Sequence, residues 1–269
     1  FGDAVGTPNS AIFVGGITGH STPLTAVGTT HCCVEEYNGL TWSTSKVGIG
    51  STANANFYHY LGTWSGNTWS VGSIAGVSPA GVFQHTLTGC GADSVTLHGG
   101  ACQVYSNNNI ESPATTMQAK ALEWNGNTWR ALTVMSNPRV GMAGAGSQNT
   151  AVLFGGGYHC ARSNASMESL ACTEEYNGCT YSGGGAMVET VCQGAGVGSQ
   201  NAALGFGGCC QVGSTLTGYS DISQEYDGSV WSSNASLNNP RWKPAGAGTQ
   251  NSAIAIGGYC RINSDSTGV

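Results

Sequence analysis

Residues 142–157 read MAGAGSQNTAVLFGGG, and close copies return as GAGVGSQNAALGFGG at 194–208 and PAGAGTQNSAIAIGG at 244–258. Repetition at a near-fixed period constrains a fold more than composition does, because every copy must adopt one supersecondary unit and bury its apolar face against the next. A polar anchor six residues before a glycine makes the copies countable: Asn149 to Gly155, Asn201 to Gly207, Asn251 to Gly257 and Asn9 to Gly15, then Asp93 to Gly99 and, more loosely, Asn56 to Gly62. The anchors stand 47, 37, 56, 52 and 50 residues apart, so a unit of roughly 50 residues is written about six times.

A second phrase follows the first: EEYNGLTW at 35–42, LEWNGNTW at 122–129, EEYNGCTY at 174–181 and QEYDGSVW at 224–231, with a fainter TWSGNTW at 63–69. Asn-Gly and Asp-Gly predict type I′ turns, which need two residues at positive φ, and the flanking aromatics sit where antiparallel strands pair, so each phrase reads as a β-hairpin. A unit then supplies four strands: a Gly- and Ala-rich strand such as 143–146, an apolar strand such as 150–154 ending at the paired glycines, and the two strands of the hairpin. An apolar second strand suits a sheet packed between neighbouring sheets, and a first strand of small residues suits crowding towards a common axis. The reading is an all-β protein, a single propeller domain over 1–269 of about six four-stranded antiparallel blades, with repeats near 4–47, 48–87, 88–138, 139–190, 191–240 and 241–269.

Paired glycines closing the second strand, then a Tyr and a Trp about six residues apart in the hairpin, resemble the kelch repeat of β-propellers. The wording is also similar to kelch-like arrays in structural proteins of tailed bacteriophages, marine ones in particular. This resemblance implies a non-enzymatic structural or host-adhesion component of a virus particle, such as a tail fibre, spike or surface decoration. Two departures stand out. The second repeat is short, and its third and fourth strands are open to an alternative reading, from 68 to 87, that makes SGNTW a false match. After Gly257-Gly258 no further EYNG..W follows, so the last blade is expected to be incomplete in this chain, with inter-chain strand completion there as one outcome.

Charged residues make up only 8% of the chain, and the net charge is −6, which gives no electrostatic reason to approach phosphates. Nucleic acid is therefore not expected, and membrane insertion is not expected because no apolar run approaches the roughly 20 residues a membrane helix needs; the expected partners are other virion proteins or a cell-surface glycan or receptor. Eleven cysteines without paired CxxC modules point to an oxidising place, extracellular or on the virion surface. Only the fourth repeat carries Cys both after the glycines and before the hairpin, which predicts a Cys160–Cys172 disulfide across the base of the intervening loop. Asn164 and Asn234 begin N-x-S triplets and are candidate glycosylation acceptors, although such triplets arise often by chance in a Ser- and Asn-rich chain.

Galactose oxidase is also a kelch propeller, and its copper site takes two His, a Tyr and a Tyr crosslinked to Cys. Here the six histidines, at 20, 31, 59, 85, 98 and 159, each occupy a different setting, and none is paired at ligand spacing. His98 stands where sister repeats have Phe154 and Phe206 and is read as packing, while His20 and His159 fall after the glycines and are read as loop polarity. No catalytic residue, metal ligand or cofactor is expected, and the oxidase is disfavoured. Glu35-Glu36 and Glu174-Glu175 recur at one place in the repeat, as scaffold residues do, and adjacent strand residues point to opposite faces. Tyr37, Trp42, Trp124, Trp129, Tyr176, Tyr226 and Trp231 recur too and are read as packing between blades, with sugar stacking as the sharper alternative that exposure separates. A secreted carbohydrate-binding propeller is the second functional reading, with recognition placed in the loops between the glycines and the hairpins.

Overall fold

A computed structural model of the chain describes residues 94–102, 119–124, 129–159, 167–212, 215–262 and 265–268, together with isolated strands before them. Every element is a strand; no helix occurs among the described residues. The first sheet consists of β1 (Asp3–Thr7), β2 (Ser10–Val14), β5 (Leu61–Trp64) and β6 (Trp69–Gly72), while β3 (Cys33–Tyr37) and β4 (Trp42–Lys46) pair with each other as a separate hairpin. β7 (Val82–Phe83) pairs with β10 (Ala101–Cys102), and the second sheet is β8 (Thr86–Gly91), β9 (Ser94–His98), β11 (Ala121–Trp124) and β12 (Trp129–Ala131). The third contains β13 (Val140–Gly146), β14 (Ala151–His159), β16 (Thr173–Tyr176) and β17 (Tyr181–Gly183), with β15 (Met167–Ser169) on the far end of β14. The fourth contains β18 (Ala195–Ser199), β19 (Ala202–Phe206), β22 (Ser223–Tyr226) and β23 (Trp231–Asn234), flanked by the pair β20 (Cys209–Val212) and β21 (Thr215–Tyr219). Among the described residues the fifth has β24 (Ala245–Thr249) and β25 (Ser252–Ile256), and β26 (Tyr259–Ile262) pairs with β27 (Asp265–Gly268).

All these ladders are antiparallel, and the first strands lie side by side in series: β1 against β8, then β13, β18 and β24. The small residues of the repeated phrase follow from that spacing. A Cβ on Gly196 would come within 2.6 Å of the Gly144 carbonyl oxygen and 2.7 Å of the Phe154 ring in the preceding sheet. The paired glycines have a second cause: Gly155 and Gly156 hold φ of 64° and 86°, and Gly207 and Gly208 hold 65° and 97°, a region that L side chains rarely enter. In this conformation the second glycine's amide turns towards the next repeat. Gly100 donates to the Arg139 carbonyl at 3.0 Å, Gly156 to Val191 at 2.8 Å and Gly208 to Arg241 at 2.7 Å. The recurring glutamine also reaches a neighbouring sheet, Gln200 donating to the Tyr176 carbonyl and Gln250 to that of Tyr226.

Between the third and fourth sheets Val152, Phe154, Met187, Tyr226 and Trp231 form one buried cluster, with the Phe154 and Trp231 rings 4.7 Å apart. Burying a side chain of this size contributes about 1.5–3 kcal/mol. Among the described residues the fifth sheet has no such cover. Ile254 is 64% and Ile256 54% exposed, whereas their counterparts Val152 and Phe154 are 0% and 2% exposed.

Two readings of the hairpins are revised. The hairpin that completes the first sheet is Leu61–Gly72, with Val14 opposite Leu61 and Trp64 opposite Trp69, so TWSGNTW is not a false match. Loop-closure entropy rises slowly with length, so the longer connection adds little cost and the hydrogen-bond ladder decides the pairing. The hairpin turns are four-residue loops rather than type I′: Tyr176 pairs with Tyr181, and only Gly178 in that loop has positive φ. The Asn177 carboxamide oxygen accepts from the Cys179 and Thr180 amides at 3.0 and 2.9 Å, and Asp227 does the same for Ser229 and Val230 at 2.8 and 2.9 Å, closing the loops as Asx turns. Cys172 lies opposite Gly155, whose amide donates to the Cys172 carbonyl at 3.0 Å, and β14 runs on past the glycines to pair His159 with Met167. Cys172 carries an exposed free thiol, and Cys160 lies outside the described residues.

Candidate functional site

Gly141, Gln193 and Lys243 occupy one position in three successive repeats, two residues ahead of the alanines Ala143, Ala195 and Ala245, and hold φ of 61°, 57° and 54°. Gln193 and Lys243 are the non-glycine residues at positive φ among those described, a conformation that costs energy and persists where surrounding bonds enforce it. Backbone bonds do so here: the Gln193 amide donates to the Gly141 carbonyl at 2.7 Å, and the Lys243 amide to the Gln193 carbonyl at 3.1 Å. The three repeats are thereby laced together at the approach to their first strands.

Trp242 precedes Lys243 and forms an antiparallel bridge with Tyr259, the two residues exchanging backbone bonds of 2.9 and 2.8 Å. Its indole N–H donates to the Gln193 carboxamide oxygen at 2.5 Å. The indole stacks on Tyr219, with centroids 5.7 Å apart and planes at 21°, and leans on Tyr259 at 5.4 Å. The Lys243 ammonium sits 4.1 Å above the indole, and burial lowers its pKa to about 8 against the opposing pull of Cys209 and Cys192. Tyr259 is 45% exposed, while Tyr219 and Trp242 are half-buried. Flat, partly exposed aromatic faces next to a cation can stack on the apolar face of a sugar ring.

Exposure separates these aromatics from the recurring ones. Tyr176 and Tyr226 are 1% and 0% exposed and Trp231 is 6% exposed, with its N–H on the Thr173 hydroxyl at 2.9 Å, so these three are packing residues. The side chains of Tyr37, Trp42, Trp124 and Trp129 lie outside the described residues. Glu174 and Glu175 point to opposite neighbours: Glu174 accepts from Arg139 Nη2 at 2.6 Å and from the Ser136 amide at 2.7 Å, and Glu175 accepts from the Tyr226 hydroxyl at 2.5 Å in the next sheet.

His98 is fully buried, its Nε2 2.8 Å from the Thr88 hydroxyl and its Nδ1 2.6 Å from the Tyr181 hydroxyl, and desolvation lowers its pKa to about 3. It is a neutral core residue. His20, Cys160 and Asn164 lie outside the described residues, as does the side chain of His159. Asn234 is exposed at the end of β23, but its carboxamide nitrogen donates to Glu225 and its oxygen accepts from the Ala235 amide at 2.7 Å. Among the described residues no three His, Cys, Asp or Glu side chains are grouped to hold a metal ion. The Tyr219, Trp242, Tyr259 and Lys243 cluster was not singled out from the repeats. Its signal was a departure from them, since aligned repeats carry Cys192 and Val140 in place of Trp242 and Ser169 in place of Tyr219.

No family model and no curated protein matches this chain. A solved structure titled "Structure of YjhT" is similar to it over 99% of this chain and 82% of that one, with a TM-score of 0.62 and 11% identity. At that identity the likeness concerns the fold alone.

Proposed function

We propose that the chain is a kelch-type β-propeller of about six blades that acts as a non-enzymatic recognition module, a receptor-binding or adhesion component of a virus particle such as a bacteriophage tail fibre. Four-stranded antiparallel sheets whose first strands pack in series, and the likeness to YjhT, support the propeller. The observation that carries recognition is the Tyr219–Trp242–Tyr259 platform: three ring systems in contact, partly exposed, at positions the scaffold does not require. The ligand class it fits is a surface glycan. A secreted carbohydrate-binding propeller would use the same platform.

Titration with a panel of neutral and acidic oligosaccharides, followed by tryptophan fluorescence and calorimetry, tests this. At least one glycan is expected to bind, and Trp242→Ala is expected to weaken it by tenfold or more, about 1.4 kcal/mol at the least, while far-UV circular dichroism stays unchanged. A ligand whose affinity ignores Trp242→Ala would remove the platform from the reading.

The open fifth sheet supports a second contact, to a partner strand that adds to β25 as part of an assembly. Sedimentation should detect concentration-dependent association of the chain that Ile254→Ser with Ile256→Ser reduces. A strictly monomeric wild type over the same concentrations would count against strand completion between chains.

A further inference from the structure

Cys192 lies just ahead of β18, and Cys209 begins β20 after the paired glycines of the same repeat. They are directly opposite in an antiparallel bridge, the Cys192 amide donating to the Cys209 carbonyl at 3.0 Å and the Cys209 amide to the Cys192 carbonyl at 2.9 Å. Residues exchanging both backbone bonds have Cα atoms about 5.5 Å apart, inside the window of roughly 4.4–6.8 Å that a disulfide spans. The two thiols already hydrogen-bond each other, and both side chains are buried at 0% and 1% exposure. The scaffold does not ask for cysteine here, since the equivalent pairs are Val140 with Gly157 and Trp242 with Tyr259.

We propose that Cys192 and Cys209 are a thiol–disulfide pair, oxidised by exchange with a low-molecular-weight disulfide, with Cys209 attacking and Cys192 resolving. In the first step Cys209 gives its proton to solvent and its thiolate attacks one sulfur of the external disulfide, whose S–S bond breaks and releases one thiolate. In the second, Cys192 loses its proton, attacks the Cys209 sulfur and expels the second thiolate. Two protein thiols are thus oxidised by two electrons, and one disulfide is reduced to two thiols. The division of roles follows the surroundings of each sulfur. The hydrogen bond between the thiols holds Cys209 below the ordinary thiol value, helped by the Lys243 ammonium, while the same bond and burial push Cys192 well up. Because both are buried, exchange proceeds through local opening of β20 and is slow, and the product is protected once formed.

The test is incubation of the full chain to equilibrium in glutathione buffers of graded redox ratio, followed by acid quench, alkylation and peptide mapping. The expected result is one crosslinked peptide joining Cys192 to Cys209, rising as oxidised glutathione rises and reversed by dithiothreitol, with Tm higher in the oxidised form. Cys192→Ser should instead leave a glutathionyl group on Cys209. Recovery of both residues as alkylated thiols at every ratio, including equilibration in mild urea that opens β20, would overturn the proposal, as would crosslinks from either to another cysteine.

Discussion

Arg139→Val alone is expected to destabilise the fold by about 3–5 kcal/mol, and Arg139→Val with Glu174→Gln to recover much of that loss. Arg139 is 0% and Glu174 3% exposed. Arg139 donates to Glu174 Oε2 at 2.6 Å and to the carbonyls of Gly155 and Cys172 at 3.0 and 2.9 Å, tying the approach of one sheet to its second and third strands. Removing the cation leaves a carboxylate in the interior with only the Ser136 amide as partner, and an uncompensated buried charge is far costlier than a broken surface pair. The next repeat already contains the neutral solution: Val191 stands for Arg139, and Gln224 stands for Glu174. Gln224 accepts from the Glu189 amide at 3.0 Å and donates to its carbonyl at 3.2 Å. Denaturant titration of both single variants and the double variant checks this. Equal losses for the single and the double variant would mean that the charge is not what the site requires.

Acid is expected to weaken the fold through His98, by an amount on the order of 5 kcal/mol between neutral pH and pH 3. An unfolded chain protonates this imidazole below its ordinary value of 6.5, whereas the folded chain resists protonation down to about 3 because the site is dry. The unfolded chain therefore binds the extra proton throughout that window. The stability due to a neutral His98 is complete above pH 6.5 and drains away as pH falls towards 3. His98→Phe copies the aromatic of the sister repeats, Phe154 and Phe206, and is expected to flatten this component even if it lowers stability at pH 7 by losing the Thr88 and Tyr181 bonds. Chemical denaturation at pH 7, 5 and 4 reads it out. A variant with the wild-type pH slope would place the acid sensitivity elsewhere.

Local chemistry carried most of the architecture in plain view. The paired glycines require positive φ whatever surrounds them, the alternation of apolar and small residues makes strands, and Asn177-Gly178 and Asp227-Gly228 close hairpins by short-range bonds. Failures came where a local phrase had two partners. The hairpins at 33–46 and 61–72 both satisfy the pattern, and only the ladder to β2 separates them. The residue opposite Cys172 is likewise set by the ladder, which places it across from Gly155, since sequence shows which strands neighbour but not where β14 ends.

The candidate site was less legible still. Repeats direct attention to what recurs, and the recurring aromatics are buried for the reason they recur: every sheet needs a filler against the next. Trp242, Tyr219 and Tyr259 come from three separate segments, and only the antiparallel bridge and the approach of β21 to β26 bring them together. What the sequence determined by itself was the strand, its glycine-ended phrase and the repeat, because these rest on interactions within a few residues. What the tertiary structure alone decided was register between distant segments, the burial that neutralises His98, and the meeting of Cys192 with Cys209, because these depend on which surfaces the packed sheets exclude from water.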